Sequence, residues 1–332
     1  MTLLNKIKSI FFGNHAVVLM YHRVANIFID PWQLAVSTDN FTNQLKVLKN
    51  EFNVIPLKDL VGQVANGRVQ NKSISITFDD GYGDNYLNAY PLLKQYECPA
   101  TFFIPTGFIN QQTLFWWDVI TQIFLSTYRL PEFLQIGKLY FKLDNNGQIT
   151  NDEFNHHQRW KWPAPVPTQR CQIYLAVWEY VRPLNDDEIK TFISYLINWS
   201  QVDLHSDKES VPMNEQQLSA LSSSALISLG SHTINHPALG SHLRPVQQVQ
   251  LVDSRDRLLK SFRNYFNAVA YPYGNYNEAT LDIMQNENFN AGFTTEEARI
   301  NGTSDIYQLG RCQVKNWTGD DFKKHLNKWI NN

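Results

Sequence analysis

Cysteine is scarce in this chain: Cys98, Cys171 and Cys312 are its only three, widely separated and without a CxxC pair. An odd, scattered set argues against a disulfide framework and against a cysteine-built zinc cluster. Long hydrophobic runs are missing too, since none reaches the roughly 18 to 20 residues a membrane span requires. The opening stretch sets Lys6 and Lys8 among Leu3, Leu4, Ile7, Ile10 and Phe11. It has neither the apolar core nor the small-residue cleavage site of a secretory leader, which leads us to expect a cytoplasmic protein. The helical spacing of those apolar residues suits either a helix packed on its own domain or a peripheral contact with the inner membrane face. Charge of one sign is not in excess: 29 basic against 31 acidic residues leave a net charge of -2. With no basic stripe, a nucleic-acid partner is not expected. No GxGxxG or GxxxxGK loop is present, so a nucleotide cofactor is not expected either.

What the chain does have is apolar and aromatic content. At 332 residues and 43% hydrophobic it can build one large domain or two ordinary ones. Its nine tryptophans serve either as core or as a surface for flat amphipathic ligands such as sugars. Continuous apolar or β-rich runs of strand length recur at Ala16 to Tyr21, Ser73 to Phe78, Pro99 to Ile104, Leu226 to Ser231, Ala268 to Tyr271, Ala291 to Thr294 and Tyr307 to Val314, with helical patterns between most of them. About seven strands presenting their carboxyl ends to one face make a barrel-like α/β count. From about 111 to 215 that alternation lapses. This stretch, with Phe115-Trp116-Trp117-Asp118, Trp160 and Trp162, reads as a helical, Trp-rich insertion or lid with a short hairpin near Lys138 to Thr150. The expected organisation is therefore 1–110 and 216–332 as two parts of one barrel, with 111–215 inserted between them. Asp144-Asn-Asn-Gly147 has the wrong spacing for a calcium loop and reads as a tight turn.

Two strands end in chemical groups. Ser73 to Phe78 runs straight into Asp79-Asp80-Gly81, and two buried carboxylates need a metal, a proton or a basic partner. The strand at Leu226 to Ser231 runs into His232-Thr-Ile-Asn-His236, whose spacing would bring both imidazoles to one side of a helical turn. Two histidines and one carboxylate suit a metal that keeps a position open for water. Asp80 can be that carboxylate, leaving Asp79 to take a proton from water whose pKa a metal lowers toward about 7. Ala16 to Tyr21 likewise delivers His22-Arg23 at a strand end.

Taken together, Thr77-Phe-Asp-Asp-Gly81, His232-Thr-x-x-His236 and Tyr271-Pro-Tyr-Gly274 resemble the motifs of the polysaccharide deacetylases, the NodB-homology carbohydrate esterases. The resemblance covers roughly residues 14–110 and 216–315. It implies a distorted (β/α) barrel and metal-dependent removal of an N- or O-acyl group from a sugar. Carried over by position, it implies Asp79 as base, Asp80, His232 and His236 as metal ligands, and Tyr273 as donor of a backbone N–H to the oxyanion. The family's late Leu-x-His motif is missing; the only later histidines, His242 and His325, lie in no such motif. Leu19-Met-Tyr-His22-Arg-Val24 instead resembles the amino-terminal YH motif of a circularly permuted branch that includes poly-N-acetylglucosamine deacetylases, which implies His22 as general acid; the alternative is a structural hydrogen bond. Ala270 stands where many relatives carry an arginine that holds the base. Arg311 is the candidate replacement, a surface salt bridge being the alternative. Trp116 and Trp117 are candidates for a sugar platform or for anchors of the lid, and Tyr271 is a candidate substrate contact.

The expectation is thus a metal-dependent deacylase of an N-acyl amino sugar in cell-envelope polysaccharide biosynthesis. Its cofactor would be a divalent ion, zinc first, with cobalt, nickel or manganese also suited to Asp-His-His ligands. Its partner would be an N-acylated sugar, a polysaccharide precursor or a lipid-linked saccharide. A carbohydrate-binding pseudoenzyme and a metal-dependent hydrolase of a non-sugar amide are the competing readings.

Overall fold

The computed structural model describes residues 14–331; the apolar spacing at 3–11 lies outside the described residues. Seven parallel strands follow one another around a curled sheet: β1 (Ala16–Tyr21), β2 (Ser73–Phe78), β3 (Ala100–Ile104), β4 (Ile227–Ser231), β5 (Tyr265–Ala270), β6 (Ala291–Phe293) and β7 (Cys312–Gln313). The spatial order is β6-β5-β4-β3-β2-β1-β7, and a short strand, Asn53–Val54, also pairs with β2. Chain order is therefore kept around the sheet until β7 returns to the far side of β1. The segment leading into β7 also reaches β6: Leu309 N–H donates to Gly292 O at 2.9 Å and Thr294 N–H to Leu309 O at 2.8 Å. That link draws the two edges together into a distorted (β/α) barrel.

The sequence of β2 shows why the strands form. Ile74, Ile76 and Phe78 face an outer layer with Val17, Leu19 and Tyr21 of β1, sealed by the helices Thr38–Glu51 and Gly319–Asn331 through Phe41, Leu45, Phe322 and Leu326. Ser75 and Thr77, on the other face, satisfy their hydroxyls on the carbonyls of Ile55 and Leu19 at 3.0 and 2.8 Å. Both faces are buried, as expected of parallel strands covered by crossover helices. A second layer, with Ala16, Val18, Ala268, Ala270 and Ala291 around Phe103 and Phe293, is built largely of small side chains.

Residues 111–215 carry the helices Trp116–Thr121, Asn151–Arg159, Gln169–Val181 and Asp186–Ser200 around a core that includes Phe115, Phe124, Leu134, Cys171, Tyr174 and Leu196 and takes in Ile29 and Tyr82 from outside the stretch. The hairpin in this stretch lies earlier than the sequence suggested. Phe133–Ile136 pairs antiparallel with Leu139–Lys142, with Gly137 between them at φ 56°. The Asp144–Gly147 turn, with Asn145 and Asn146 left-handed, leads instead to a helix, because Thr150 and Glu153 form a capping box at its start. No helix among the described residues is long and apolar enough to cross a membrane.

Candidate active site

Four strand ends converge on one cavity of about 320 Å³, whose lining includes His22 after β1, Asp79 and Asp80 after β2, His232 and His236 after β4, and Tyr273 after β5. The local backbone explains how neighbouring carboxylates come to differ. Asp79 N–H continues the sheet by donating to Tyr21 O at 3.0 Å, and then Asp80 and Gly81 both take left-handed φ, 69° and 68°. Gly81 meets that requirement without a side-chain penalty; Asp80 bears the strain. The reversal aims the two side chains at different partners.

Asp79 is gripped by Arg311, whose two terminal nitrogens reach its two oxygens at 2.7 Å each. Arg311 is fully buried and is further tied to Thr294 O at 3.0 Å. Its ion pair is therefore interior rather than a surface salt bridge. Burial works to raise the Asp79 pKa, but the Arg311 charge and hydrogen bonds, together with His232 and His22, outweigh it and hold the carboxyl below its ordinary value. Asp80 faces the histidines, with Oδ1 3.4 Å from His232 Nε2 and 3.3 Å from His236 Nε2. Burial opposes ionisation here too, yet the neighbouring His232, His236 and His22 imidazoles hold the carboxyl well below the usual carboxylate range.

The two histidines do not sit on a helical turn. His232-Thr-Ile-Asn-His236 is an irregular loop with Thr233 and His236 left-handed, at φ 68° and 56°. The loop's polar groups bond outward instead of along a helix: Ile234 and Asn235 N–H both donate to Gln250 Oε1 at 3.0 Å, and Thr233 O accepts from Ser254, both on the helix Arg244–Ser261. His232 Nδ1 lies 2.7 Å from Ala270 O, the contact of a donated N–H, which orients the ring so that Nε2 is the nitrogen facing Asp80. Burial, reinforced by His232, pushes the His236 pKa down to about 3, so its imidazole is neutral at ordinary pH. Asp80 Oδ1 itself is buried without a hydrogen-bond partner. One orphaned carboxylate oxygen and two imidazole nitrogens, all within 4.8 Å of one another, fit a divalent cation of the zinc class by donor type and spacing.

The sequence model of the polysaccharide deacetylases matches residues 66–130 and 184–292. The chain belongs to the polysaccharide deacetylase family. It is 24% identical over 329 residues to a poly-beta-1,6-N-acetyl-D-glucosamine N-deacetylase of Staphylococcus aureus, a match covering 95% of this chain and 83% of that protein. Among solved structures, IcaB from Ammonifex degensii superposes with a TM-score of 0.59 at 18% identity, covering 96% of this chain and 98% of that one. The Streptococcus pyogenes deacetylase PplD, solved in complex with acetate, gives a TM-score of 0.53 at 21% identity, covering 94% and 98%. These structural likenesses bear on the fold.

Within this deacetylase-family cavity the sequence-predicted residues separate. His22 lies beside the two carboxylates, with Nδ1 buried and unpartnered, so no structural hydrogen bond occupies that nitrogen. Its backbone is pinned by Asn85, which donates to His22 O at 2.8 Å, and the next residue by the Arg23–Asp84 ion pair at 2.8 Å. Trp117 lines the cavity and packs on His236 at 4.8 Å between ring centroids. Its Nε1 donates to Tyr82, which in turn donates to Asp118. Trp116 is not among the lining residues; it sits beside Trp117 and faces a neighbouring groove. Tyr271 is corrected from substrate contact to core residue: it is fully buried, stacks on Tyr276 and donates its hydroxyl to Tyr307 O at 2.8 Å. In the Tyr-Pro-Tyr-Gly motif Tyr273 is the tyrosine that turns into the cavity, on left-handed backbone at φ 58°. The residues that sequence reasoning missed are Trp32, Trp178 and Arg182, which also line the cavity. Only the abundance of tryptophan hinted at them. Asp84 and Asn85 were also missed, though only Tyr82 and Gly83 separate them from the Asp-Asp-Gly motif in the sequence.

Proposed function

We propose that this chain is a metal-dependent deacylase that removes N-acyl groups, acetyl foremost, from amino sugars of a cell-envelope polysaccharide. The observation that carries the reading is the contrast between two adjacent buried carboxylates, one neutralised by Arg311 and the other left facing the imidazole nitrogens of His232 and His236. The kinship with a poly-beta-1,6-N-acetyl-D-glucosamine N-deacetylase supports the choice of substrate.

Asp80, His232 and His236 would hold the cation, zinc or alternatively cobalt, nickel or manganese. Bound there, it supplies Lewis acidity, polarising an acyl carbonyl and making water a stronger acid. Asp79 is ionised at neutral pH and oriented by Arg311, and each of its oxygens keeps a lone pair with which to take a proton from the attacking water. His22, at the end of the neighbouring strand β1, hands a proton to the departing amine nitrogen. The Tyr273 backbone N–H stabilises the developing oxyanion. Trp32, Trp117 and Trp178 offer apolar faces to the sugar ring and limit the access of bulk water. A cavity of about 320 Å³ is at the small end of ligand sites and suits one sugar unit. In this reading residues 1–110 and 216–332 supply the chemistry, and 111–215 close over it through Trp117, Trp178 and Arg182.

Deacetylation of acylated sugars, followed by acetate release, tests the reading together with metal content by X-ray fluorescence. Asp79→Asn is expected to retain metal and lose turnover, and His232→Ala to lose both. Full activity in either variant would rule out the proposed roles.

A further inference from the structure

Arg182 is the charged group of the cavity that the proposed chemistry leaves unused. Arg311 is bound to Asp79 and Arg23 to Asp84. Arg182, just past the helix Gln169–Val181, has neither an ion pair nor a side-chain hydrogen bond among the described residues. It is half-buried and rests against Trp178, its guanidinium carbon 5.0 Å from the ring centroid. Stacking of that kind, and the nearby helix carboxyl end, favour a cation but leave the forked N–H donors without an acceptor. The lining around them includes Trp32, Leu34, Trp178 and Tyr273, a poorly hydrated setting in which an unmatched donor set is costly and a charge-assisted hydrogen bond is strong.

The charge balance points the same way. Asp79 is cancelled by Arg311, and a divalent ion would more than cancel Asp80, so with Arg182 the cavity carries a net positive charge. Behind its wall lies a second cavity of about 680 Å³, lined by Gln33, Ala35 and Lys315 where the first is lined by Trp32, Leu34 and Gln313. Its two basic residues, Lys161 and Lys315, have no ion pair among the described residues. Lys161 donates to the Asp30 carbonyl at 2.8 Å, while the Asp30 carboxylate is taken up by the Leu34 and Ala35 N–H groups at 3.0 and 2.9 Å. With Arg182 on one face, and Lys161 and Lys315 against the single acid Asp30 on the other, the wall is ill suited to a polymer that is neutral before deacylation and cationic after it.

We infer that Arg182 is a specificity residue for an anionic group, phosphate or carboxylate, carried by the acylated amino sugar or the unit next to it. The inference rests on the sugar-deacylase reading and narrows its substrate from neutral to acidic glycans. The guanidinium fork would hold two oxygens of the anion while the acyl group reaches toward Asp79 and His22.

The test compares the metal-loaded enzyme on three matched disaccharides of N-acetylglucosamine: neutral, bearing a phosphate monoester on the neighbouring unit, and bearing a uronic acid there. The wild type is expected to favour at least one acidic substrate in kcat/KM by on the order of tenfold, mostly through KM and reduced by added salt. Arg182→Gln is expected to collapse that ratio. Arg182→Lys should keep part of a phosphate preference and little of a carboxylate preference, because a point charge replaces the fork. The phosphate and uronate arms identify which anion is read. Equal use of all three substrates by the wild type, or an acidic preference that survives Arg182→Gln, would overturn the inference while leaving deacylation intact. If no acylated sugar is turned over, the deacylase reading fails, and calorimetric binding of the same acidic and neutral disaccharides to wild type and Arg182→Gln still decides the anion claim: acidic-selective binding lost in the variant upholds it, and unselective or absent binding refutes it.

Discussion

A buried carboxylate keeps its charge only where its surroundings replace water, and at Asp79 the replacement is a single guanidinium. Substituting Arg311→Met leaves Asp79 uncompensated in the interior, so a destabilisation of roughly 3 to 5 kcal/mol is expected, visible as a large drop in Tm. Adding Asp79→Asn to that variant should recover much of the loss, and the double-mutant cycle measures the coupling. Asp118, behind Trp117, shows the opposite balance. Burial pushes its carboxyl up from 3.8 to about 6, against the pull of Arg23 and the Tyr82 hydrogen bond. Between those two values the folded chain holds a proton that the unfolded chain has released, so this group's contribution to stability declines as pH rises through the window and is level above it. Asp118→Asn removes the dependence. Denaturant titrations of wild type and variant should therefore show a stability difference that shifts in favour of the variant from pH 4 to pH 6.5 and then stays constant. A difference that is flat across that range would contradict the assignment.

At the level of elements, the site is made by strands that stop. Each of the strands β1, β2, β4 and β5 ends in a reactive residue or motif, and after β2, β4 and β5 the chain leaves the ladder through left-handed backbone at Asp80, Thr233, His236 and Tyr273. Non-glycine residues hold that conformation only where the surroundings over-determine it. For the histidine loop, part of that determination comes from Gln250, one side-chain oxygen receiving two backbone N–H groups. Gln250→Leu should leave the helix Arg244–Ser261 intact while loosening the loop, and metal affinity measured by competition with a chelator should fall by about 10- to 100-fold. Unchanged affinity would mean that the loop is held by its other contacts alone, such as Ser254 to the Thr233 carbonyl.

For the molecule as a whole, the proposed metal ligands Asp80, His232 and His236 lie at the cavity end of a barrel whose principal apolar layers do not include them. Removing metal should therefore lower Tm while leaving the far-ultraviolet dichroism that of the folded state. Zinc at about a hundredfold excess over its Kd should restore about 2.7 kcal/mol by mass action, an effect absent in His232→Ala. Much of this architecture was legible in the sequence. Parallel strands buried on both faces must be runs of strand-favouring residues, as at Ala16 to Tyr21, and where such a run stops at Asp79-Asp80 or His232 the chemistry announces itself. That barrel, that Asp-His-His set and the deacetylase resemblance are the part the amino-acid order determined by itself. Side-chain direction was decided elsewhere. Tyr271 and Tyr273 belong to one motif, yet only the turn at φ 58° sends Tyr273 into the cavity while Tyr271 enters the core. Trp117 lines the site and Trp116 does not. Trp32, Trp178 and Arg182 reach it from segments that carry no motif, because a cavity wall is formed by packing between distant segments and leaves no local pattern in the chain. Asp79 and Asp80 show both sides of the division: the histidine pair for Asp80 and Arg311 for Asp79 were expected from the residues, and the tertiary fold decided that the Arg311 pair is a buried, two-pronged contact rather than a surface salt bridge.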